Sequence, residues 1–337
     1  VAVDRSDVYE NQGVTLNGSF VDPGTSDTHE LTVDWGDGTA PTVVSLAPGV
    51  TTFSNLFHRY LNNPNTVGSK YHINVQLADG HQPLAPTQTG LDVVVRDIAP
   101  QWERLDGSSL AVDEGSAFLL SGAFLDPGPA DRHNVVINWG DGSTPTTLSL
   151  GFGEVSFSDV RHVYKNNPNG QPHGTYRYVV TVSDPAETSL PGRAIAGLVT
   201  VDNVAPTVDP NSLWVVLKGS PAGSPNLSTI DEGDRIVLTG SYADAGVLDR
   251  HRLRIEWGDG TASSSDPSSS EYDPTLSLDA AHRTFSARHR YLNNAVGTLV
   301  GVDIIRVTVT DDSGASSSAT RPLSIRNIAP TAHIDVT

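Results

Sequence analysis

Apolar and polar residues alternate in short runs along the whole chain, and Gly, Pro, Asn or Asp bounds most of these runs. The clearest run is 71–77, in which every second residue is apolar. Alternation with a period of two predicts β-strands that bury one face. Similar runs occur at 31–35, 91–95, 135–139, 176–182, 198–201, 253–257 and 302–309. No segment combines a sustained 3.6-residue apolar period with helix caps, so we expect helices of a single turn at most.

The density of these runs predicts the fold class. Roughly seven short strands per hundred residues is the pattern of a sandwich of two β-sheets, as in immunoglobulin-like domains. We therefore expect an all-β protein.

A long motif is repeated three times. Trp-Gly-Asp-Gly occurs at 35–38, 139–142 and 257–260; a glutamate turn, a Gly-x-aromatic-x-Asp segment and Asp-x-His precede each copy, and His-x-Tyr follows it. The tryptophans lie 104 and 118 residues apart, so each repeat is long enough to form its own core. We predict three tandem sandwich domains in an elongated array, with the Ser-rich tract 263–270 as a flexible loop. The predicted domains are 1–99, 100–205 and 206–329, and 330–337 is the first-strand segment of a following module or a donor strand.

Strand alternation places each tryptophan on the buried face, and the tyrosine of His-x-Tyr resembles the tyrosine corner of other sandwiches. The predicted structural core therefore contains Trp35, Trp139, Trp257, Tyr60, Tyr164 and Tyr291.

Composition restricts the chemistry. The chain has no Cys, which excludes disulfides, thiol catalysis and cysteine-ligated zinc. It has no Met, so we expect a processed or excised portion of a longer protein. No apolar run is long enough for a membrane span, and we expect no membrane insertion. A net charge of −18 disfavours nucleic acid and anionic membranes as partners and favours divalent cations. We expect an extracellular, secreted or cell-surface location.

The ordered motifs resemble the polycystic-kidney-disease (PKD) domain family. Residues 174–184 are the most similar segment, a Gly-x-Tyr-x-Tyr-Val-Val-x-Val-x-Asp strand, and the similarity extends over the whole chain. The third copy departs from it, with Asp303 where the other copies have Tyr71 and Tyr176. The resemblance implies immunoglobulin-like sandwiches of bacterial surface or filament proteins that act as spacers, adhesion modules or binding modules. It does not imply catalysis.

Hydrolase and phosphate-binding signatures are absent from the sequence: there is no Gly-x-Ser-x-Gly, no His-Glu-x-x-His and no phosphate loop. The histidines recur in every copy, which is typical of a structural role because an active site normally occurs once. We expect structural hydrogen bonds from His29, His58, His133, His162, His251 and His289.

The carboxylates allow two interpretations. The family resemblance implies calcium at the glutamate turn and the Gly-Asp-Gly turn, with the ligand pairs Glu10 and Asp37, Glu114 and Asp141, and Glu232 and Asp259. Calcium prefers such oxygen ligands. A second acidic group precedes the tryptophan strand and comprises Asp22, Asp27, Asp126, Asp131, Asp244 and Asp249. Alternatively, these aspartates make Asx turns with their own backbone.

The tail 331–337 alternates like a first strand, with Ala332, Ile334 and Val336 on one face. The chain is then either a window of a longer array, or a subunit whose tail pairs with the first module of a neighbour near residues 1–7.

The sequence thus predicts a non-catalytic extracellular repeat segment: a stalk, an adhesin shaft or a head-to-tail filament subunit. The alternative is a set of carbohydrate- or protein-binding accessory modules of a secreted enzyme. The expected partners are neighbouring modules, identical chains or surface glycans, and the only expected cofactor is calcium.

Overall fold

A computed structural model describes residues 1–64, 70–80, 87–168, 171–185, 190–294 and 299–330. In these ranges the regular structure is β-strand except for one 3₁₀ turn, Pro210–Ser212, which confirms the predicted all-β fold class. No helix of the described residues is long and apolar enough to cross a membrane. The predicted tail strand with Ala332, Ile334 and Val336 lies outside the described residues.

Packing divides the chain into two compact units. The first comprises Val1–Gly107, Leu119–Val160 and Arg177–Gly197, and the second comprises Ser108–Phe118, Arg161–Tyr176 and Leu198–Thr337. The first and last sandwiches each fall within one unit, whereas the strands of residues 101–202 are shared between the two units.

The first sandwich consists of a three-stranded sheet in the order β1-β3-β6 and a five-stranded sheet in the order β2-β8-β7-β4-β5. Its strands are β1 (Ala2–Val3), β2 (Asp7–Tyr9), β3 (Gly13–Ser19), β4 (His29–Asp34), β5 (Thr42–Leu46), β6 (Thr52–Arg59), β7 (Tyr71–Asp79) and β8 (Thr87–Arg96). The chain changes sheets between β1 and β2, and β2 then runs parallel to β8. β1 lies beside β3.

Residues 101–202 form an equivalent pair of sheets, in the orders β14-β11-β9 and β10-β16-β15-β12-β13. The strands are β9 (Gln101–Gly107), β10 (Ala111–Asp113), β11 (Ala117–Leu125), β12 (His133–Asn138), β13 (Thr146–Leu150), β14 (Ser156–Val163), β15 (His173–Ser183) and β16 (Arg193–Asp202). β10 is parallel to β16, so the switch between sheets recurs.

The last sandwich has two five-stranded sheets, β17-β20-β24-β23 with β18 also paired to β20, and β19-β26-β25-β21-β22. Its strands are β17 (Thr207–Val208), β18 (Trp214–Leu217), β19 (Thr229–Asp231), β20 (Arg235–Ala243), β21 (Arg252–Glu256), β22 (Ala262–Ser264), β23 (Ser277–Asp279), β24 (Thr284–Arg290), β25 (Val300–Thr310) and β26 (Ser316–Arg326). The prediction of a flexible loop over 263–270 is wrong at its start, since Ser263 and Ser264 belong to β22 and are buried.

Each sheet described above draws its strands from one predicted module. The strand alternation explains the cores: the apolar residues of facing strands point between the sheets and the polar ones point outward. Trp35 and Trp257 are fully buried in the cores of the first and last sandwiches, and Trp139 is fully buried as well.

Candidate metal centre

Each tryptophan ends a strand and anchors its indole through a hydroxyl on the neighbouring strand. Trp35 follows β4, and its Nε1 donates to Oγ1 of Thr42 at 2.9 Å. Trp139 makes the same bond to Thr146 at 2.9 Å, and Trp257 bonds to Ser263 at 3.1 Å. A buried indole N–H without a partner would be costly, so these hydroxyls are required by the burial of the rings.

The histidine of His-x-Tyr joins the tryptophan to the Gly-Asp-Gly turn. The His58 ring stacks on Trp35, with centroids 4.7 Å apart, and its Nε2 lies 2.7 Å from Oδ2 of Asp37. In the last sandwich the stacking distance is 4.5 Å and the distance from His289 to Asp259 is 2.8 Å. The recurrence of the same triplet supports the predicted structural role of these histidines.

This arrangement separates the Gly-Asp-Gly aspartates from the glutamate turns. Asp37 also accepts hydrogen bonds from the backbone and hydroxyl of Thr39. Burial raises the pKa of the Asp37 carboxyl, but the bonds from Thr39 and His58 outweigh that effect and hold the pKa below its usual value. Asp141 and Asp259 accept equivalent bonds from Ser143 and Thr261. Among the described residues, neither Asp37, Asp141 nor Asp259 belongs to any group of three or more potential metal ligands. The expected calcium pairs, such as Glu10 with Asp37, therefore do not form part of a group of this kind.

The tyrosine hydroxyls of His-x-Tyr bond to the backbone of the same tryptophans. Tyr60 donates to the carbonyl of Trp35 at 3.1 Å, and Tyr291 donates to the carbonyl of Trp257 at 2.8 Å. Both tyrosines are fully buried, and burial raises their pKa values well above the ordinary range. The bond spans 25 and 34 residues respectively, so it connects two distant strand ends rather than closing a local turn.

The tyrosine backbone in turn holds the glutamate turn. The carbonyl of Tyr60 accepts from the N–H of Asn11 at 2.7 Å, and the equivalent bonds reach Gly115 at 2.8 Å and Gly233 at 2.7 Å. Asn11 has φ +62°, Gly115 +75° and Gly233 +89°. This left-handed conformation favours Gly or Asn, which explains the residue that follows each glutamate. The turn sets the glutamate at the end of the short parallel strand, where its side chain is directed inward.

All three glutamates bind the backbone just after the last strand of their own sandwich. One carboxylate oxygen accepts from Ile98 for Glu10 (2.8 Å), from Val204 for Glu114 (2.8 Å) and from Ile328 for Glu232 (2.9 Å). These donors belong to the apolar-Ala-Pro steps that close each repeat. The glutamate therefore binds the step that closes its own repeat.

The Asp-x-His loops precede β4, β12 and β21. The first aspartate of each loop accepts from the backbone N–H two residues later, at Gly24 (3.0 Å), Gly128 (2.8 Å) and Gly246 (2.9 Å), as an Asx turn does. The other carboxylate oxygen of each of these aspartates faces the loop histidine. The distances are 3.1 Å for Asp22 and His29, 2.8 Å for Asp126 and His133, and 2.6 Å for Asp244 and His251.

The second aspartate of these loops has a different environment. Asp131 lies in one group with Glu10 and Asp97, and Asp249 lies in another with Glu114 and Asp244. In each group one carboxylate oxygen from every member lies within 4.8 Å of those of the other members. Each group therefore combines the glutamate turn of one repeat with the Asp-x-His loop of the following repeat. The first group lies wholly in the first compact unit and the second group in the second unit.

Burial distinguishes these groups from ordinary acidic surfaces. The exposed fraction is 1% for Glu10 and Glu114, 3% for Asp131 and 7% for Asp249. Burial raises the pKa of Glu10 and of Asp131 strongly, and the charges of neighbouring carboxylates raise both pKa values further. Burial, with the charges of Glu114 and Asp244, raises the pKa of Asp249 to about 7. Bringing these charges together without a cation is electrostatically unfavourable.

The sequence identified the glutamates, the Gly-Asp-Gly aspartates and the loop aspartates as candidate ligands, but it paired the glutamates with the Gly-Asp-Gly aspartates. It missed Asp97, whose signal was the Asp or Asn before each apolar-Ala-Pro step, at Asp97, Asn203 and Asn327. It also placed each glutamate with a turn of its own repeat. Glu232 has no such group among the described residues.

No protein-family profile and no curated protein matches this chain. Similar solved structures include a two-domain fibronectin type III segment of chicken tenascin, at 14% identity and TM-score 0.30, covering 59% of this chain and 95% of that one. The chicken CNTN1 FN1-FN3 domains match at 10% identity and TM-score 0.24, covering 96% and 97%. Mouse cadherin-23 EC22-24 matches at 14% identity and TM-score 0.24, covering 92% and 89%. Because these scores are low, the assignment of β-sandwiches rests on the sheets described above.

Proposed function

We propose that this chain is a non-catalytic structural segment of an extracellular protein, a stalk, adhesin shaft or filament subunit made of repeated sandwiches. The proposal rests on one repeated observation: the histidine side chains of successive repeats make internal contacts with aspartates and buried tryptophans. The imidazoles of His58 and His289 stack on buried tryptophans and face aspartates, and those of His133 and His251 face buried aspartates. Side chains held in this way in successive repeats serve folding, whereas catalysis needs one accessible set.

The glutamate turns support a role in holding consecutive repeats together. Each fixes the backbone of an Ala-Pro step, and proline further restricts the conformation of the preceding residue. A spacer that transmits force requires junctions of restricted conformation between its repeats.

Mechanical unfolding of single chains held at both ends tests the proposal. We expect three force peaks, each releasing roughly 100 residues at about 3.6 Å per residue, because the chain forms three pairs of sheets and each sheet draws its strands from one predicted module. A single gradual extension without peaks would contradict the structural role. If the chain turned over a substrate and one histidine substitution abolished that turnover, a catalytic function would be favoured instead.

A glycan array tests the carbohydrate-binding alternative. Trp35, Trp139 and Trp257 are fully buried and so are not available to stack on sugars, whereas Trp214 is 43% exposed. The structural proposal predicts no retained glycan. Specific retention that Trp214→Ala abolishes without lowering the melting temperature would favour the alternative.

A further inference from the structure

We propose that the chain binds two calcium ions, one held by Glu10, Asp97 and Asp131 and the other by Glu114, Asp244 and Asp249. These sites differ from the pairs that the family resemblance implied, because each takes its ligands from two consecutive repeats. The two groups share two equivalent positions, the glutamate of one repeat and the second aspartate of the following loop, and differ in the third member, Asp97 in one and Asp244 in the other.

Unpartnered buried oxygens are the first argument. Oε1 of Glu10 accepts from the backbone of Ile98, but Oε2 is buried and has no hydrogen-bond donor. Oδ2 of Asp131 is likewise buried without a donor, and so are both carboxylate oxygens of Asp249. Carboxylate oxygens removed from water need a donor or a cation, because the desolvation of an unpaired charge is costly.

The glycines of the loops show that these oxygens converge on one place. A Cβ added to Gly128 would fall on Oδ2 of Asp131 and Oε2 of Glu10. A Cβ added to Gly246 would fall on Oδ2 of Asp249 and on the carboxyl carbon of Glu114. The absence of a side chain at each glycine therefore leaves room for two carboxylates from different repeats to approach each other.

Further carboxylates lie around both groups. The field of Asp184 acts on Asp131, and the field of Asp311 acts on Asp249, and both raise the pKa of the carboxyl they reach. In the first group His133 faces Asp126, which is not one of the proposed ligands. In the second group His251 faces the ligand Asp244, and the Arg283 guanidinium contacts His251 and the carbonyl of Gly246. A bound divalent cation would offset this concentration of negative charge.

The donor set selects the kind of cation. All assigned ligands are carboxylates, which suit calcium and magnesium rather than zinc or copper. Oxygens up to 4.8 Å apart fit around calcium, whose opposite ligands at 2.3–2.6 Å bonds are roughly 5 Å apart, better than around magnesium with its shorter bonds. Asn203 stands at the sequence position equivalent to Asp97, and its Oδ1 is also buried without a donor. An amide oxygen belongs to the same ligand class.

The alternative is a proton shared between carboxyl groups, for example Glu10 and Asp131. A shared proton neutralises one charge without any metal, and it would make each group more stable as the pH falls. Calcium and protons thus compete for the same oxygens, and a titration with metal distinguishes them.

The test is calorimetric titration of the chelator-treated full chain with calcium chloride at neutral pH, repeated with magnesium chloride. We expect two calcium ions per chain, and binding of magnesium at least about tenfold weaker. Asp131→Asn and Asp249→Asn should each remove one site, and the double variant should remove both. Asp27→Asn is the matched control, because Asp27 occupies the same loop position in the first repeat and belongs to neither group; it should retain two sites.

Thermal unfolding with chelator and with calcium distinguishes a role of Asp131 as a metal ligand from a purely structural role. If Asp131 is a ligand, Asp131→Asn is less stable than the unsubstituted chain in calcium but equally or more stable in chelator, since it removes a buried charge. Loss of stability in both solutions would assign Asp131 a purely structural role and overturn the proposal. So would unchanged stoichiometry in the double variant, no calcium heat with superimposable melts, or equal binding of magnesium.

Discussion

His58 and Asp37 are 21 residues apart in sequence, yet Nε2 of the imidazole lies 2.7 Å from Oδ2 of the carboxylate. The histidine ring also stacks on Trp35 at an interplanar angle of 9°. One side chain thus ties the Gly-Asp-Gly turn to the aromatic core. Because the same contacts recur between His289, Asp259 and Trp257, they explain why the separated motifs Trp-Gly-Asp-Gly and His-x-Tyr occur together.

Replacing Asp37 with Asn should lower the free energy of unfolding of the first sandwich by about 1.5–3 kcal/mol, the usual contribution of a hydrogen bond to a charged group. The matched control is Asp92→Asn. Asp92 also faces a histidine, His72 at 2.8 Å, but that pair is largely exposed and screened by solvent, so its loss should destabilise the sandwich much less. Denaturant titrations compare the two variants. An equal loss in both would mean that the pairing of Asp37 with His58 adds nothing beyond a surface contact.

The same pair predicts a response to acid. The pKa of Asp37 is lowered in the folded chain, so its contribution is fully present above the unfolded pKa of about 3.9 and is lost as the pH falls through the folded pKa. As the pH falls below about 4, the melting temperature of the first sandwich should therefore fall more steeply in the unsubstituted chain than in Asp37→Asn. Parallel curves would contradict the assignment of this pKa.

Tyr291→Phe should destabilise the last sandwich by about 1–3 kcal/mol, because the buried carbonyl of Trp257 would lose its 2.8 Å partner. Tyr272→Phe is the control in the same sandwich, since Tyr272 is 47% exposed and should tolerate the loss of its hydroxyl. Chemical unfolding followed by tryptophan fluorescence measures both. A Tyr291→Phe variant as stable as the control would show that water or another group satisfies the carbonyl.

The strand alternation was sufficient to predict the sandwiches, because a half-buried strand has apolar residues on one face and polar residues on the other, and these alternate in the sequence. The buried tryptophans followed from the same pattern. The carboxylate groups could not be predicted in this way, since Glu10 meets Asp131, 121 residues later, only after two sandwiches have folded. The family resemblance implied calcium ligands at the Gly-Asp-Gly turn, but the contact between His58 and Asp37 has no local sequence signal.

Gly128→Ala should destabilise the chain by about 1–3 kcal/mol, because a Cβ would displace the carboxylates of Asp131 and Glu10. It should also weaken the first calcium site while leaving the second intact. Gly151→Ala is the control: its Cβ would meet only the side chain of Glu154 at 3.3 Å, on the surface. Melting curves and calcium titrations of both variants test this, and unchanged calcium binding in Gly128→Ala would mean that the two carboxylates do not share a ligand.

Glu10 and Glu232 form a natural matched pair. Both accept a hydrogen bond from the first apolar residue of a closing Ala-Pro step, at 2.8 Å from Ile98 and at 2.9 Å from Ile328. Only Glu10 belongs to a group of three carboxylates among the described residues. A glutamine keeps an oxygen for the backbone N–H and removes the charge, so the two substitutions have the same local effect and differ in their effect on the metal.

Glu10→Gln should therefore remove one calcium ion, and with it the stabilisation of about 2.7 kcal/mol that a ligand at a hundredfold excess over its Kd supplies. In chelator the same variant should be as stable as the unsubstituted chain or more stable, because the remaining carboxylates repel each other less. Glu232→Gln should retain both calcium ions and show the same difference between calcium and chelator as the unsubstituted chain. If Glu232→Gln lost calcium as Glu10→Gln does, the glutamate turn itself would hold the metal, and the Asp-x-His loop would not be required.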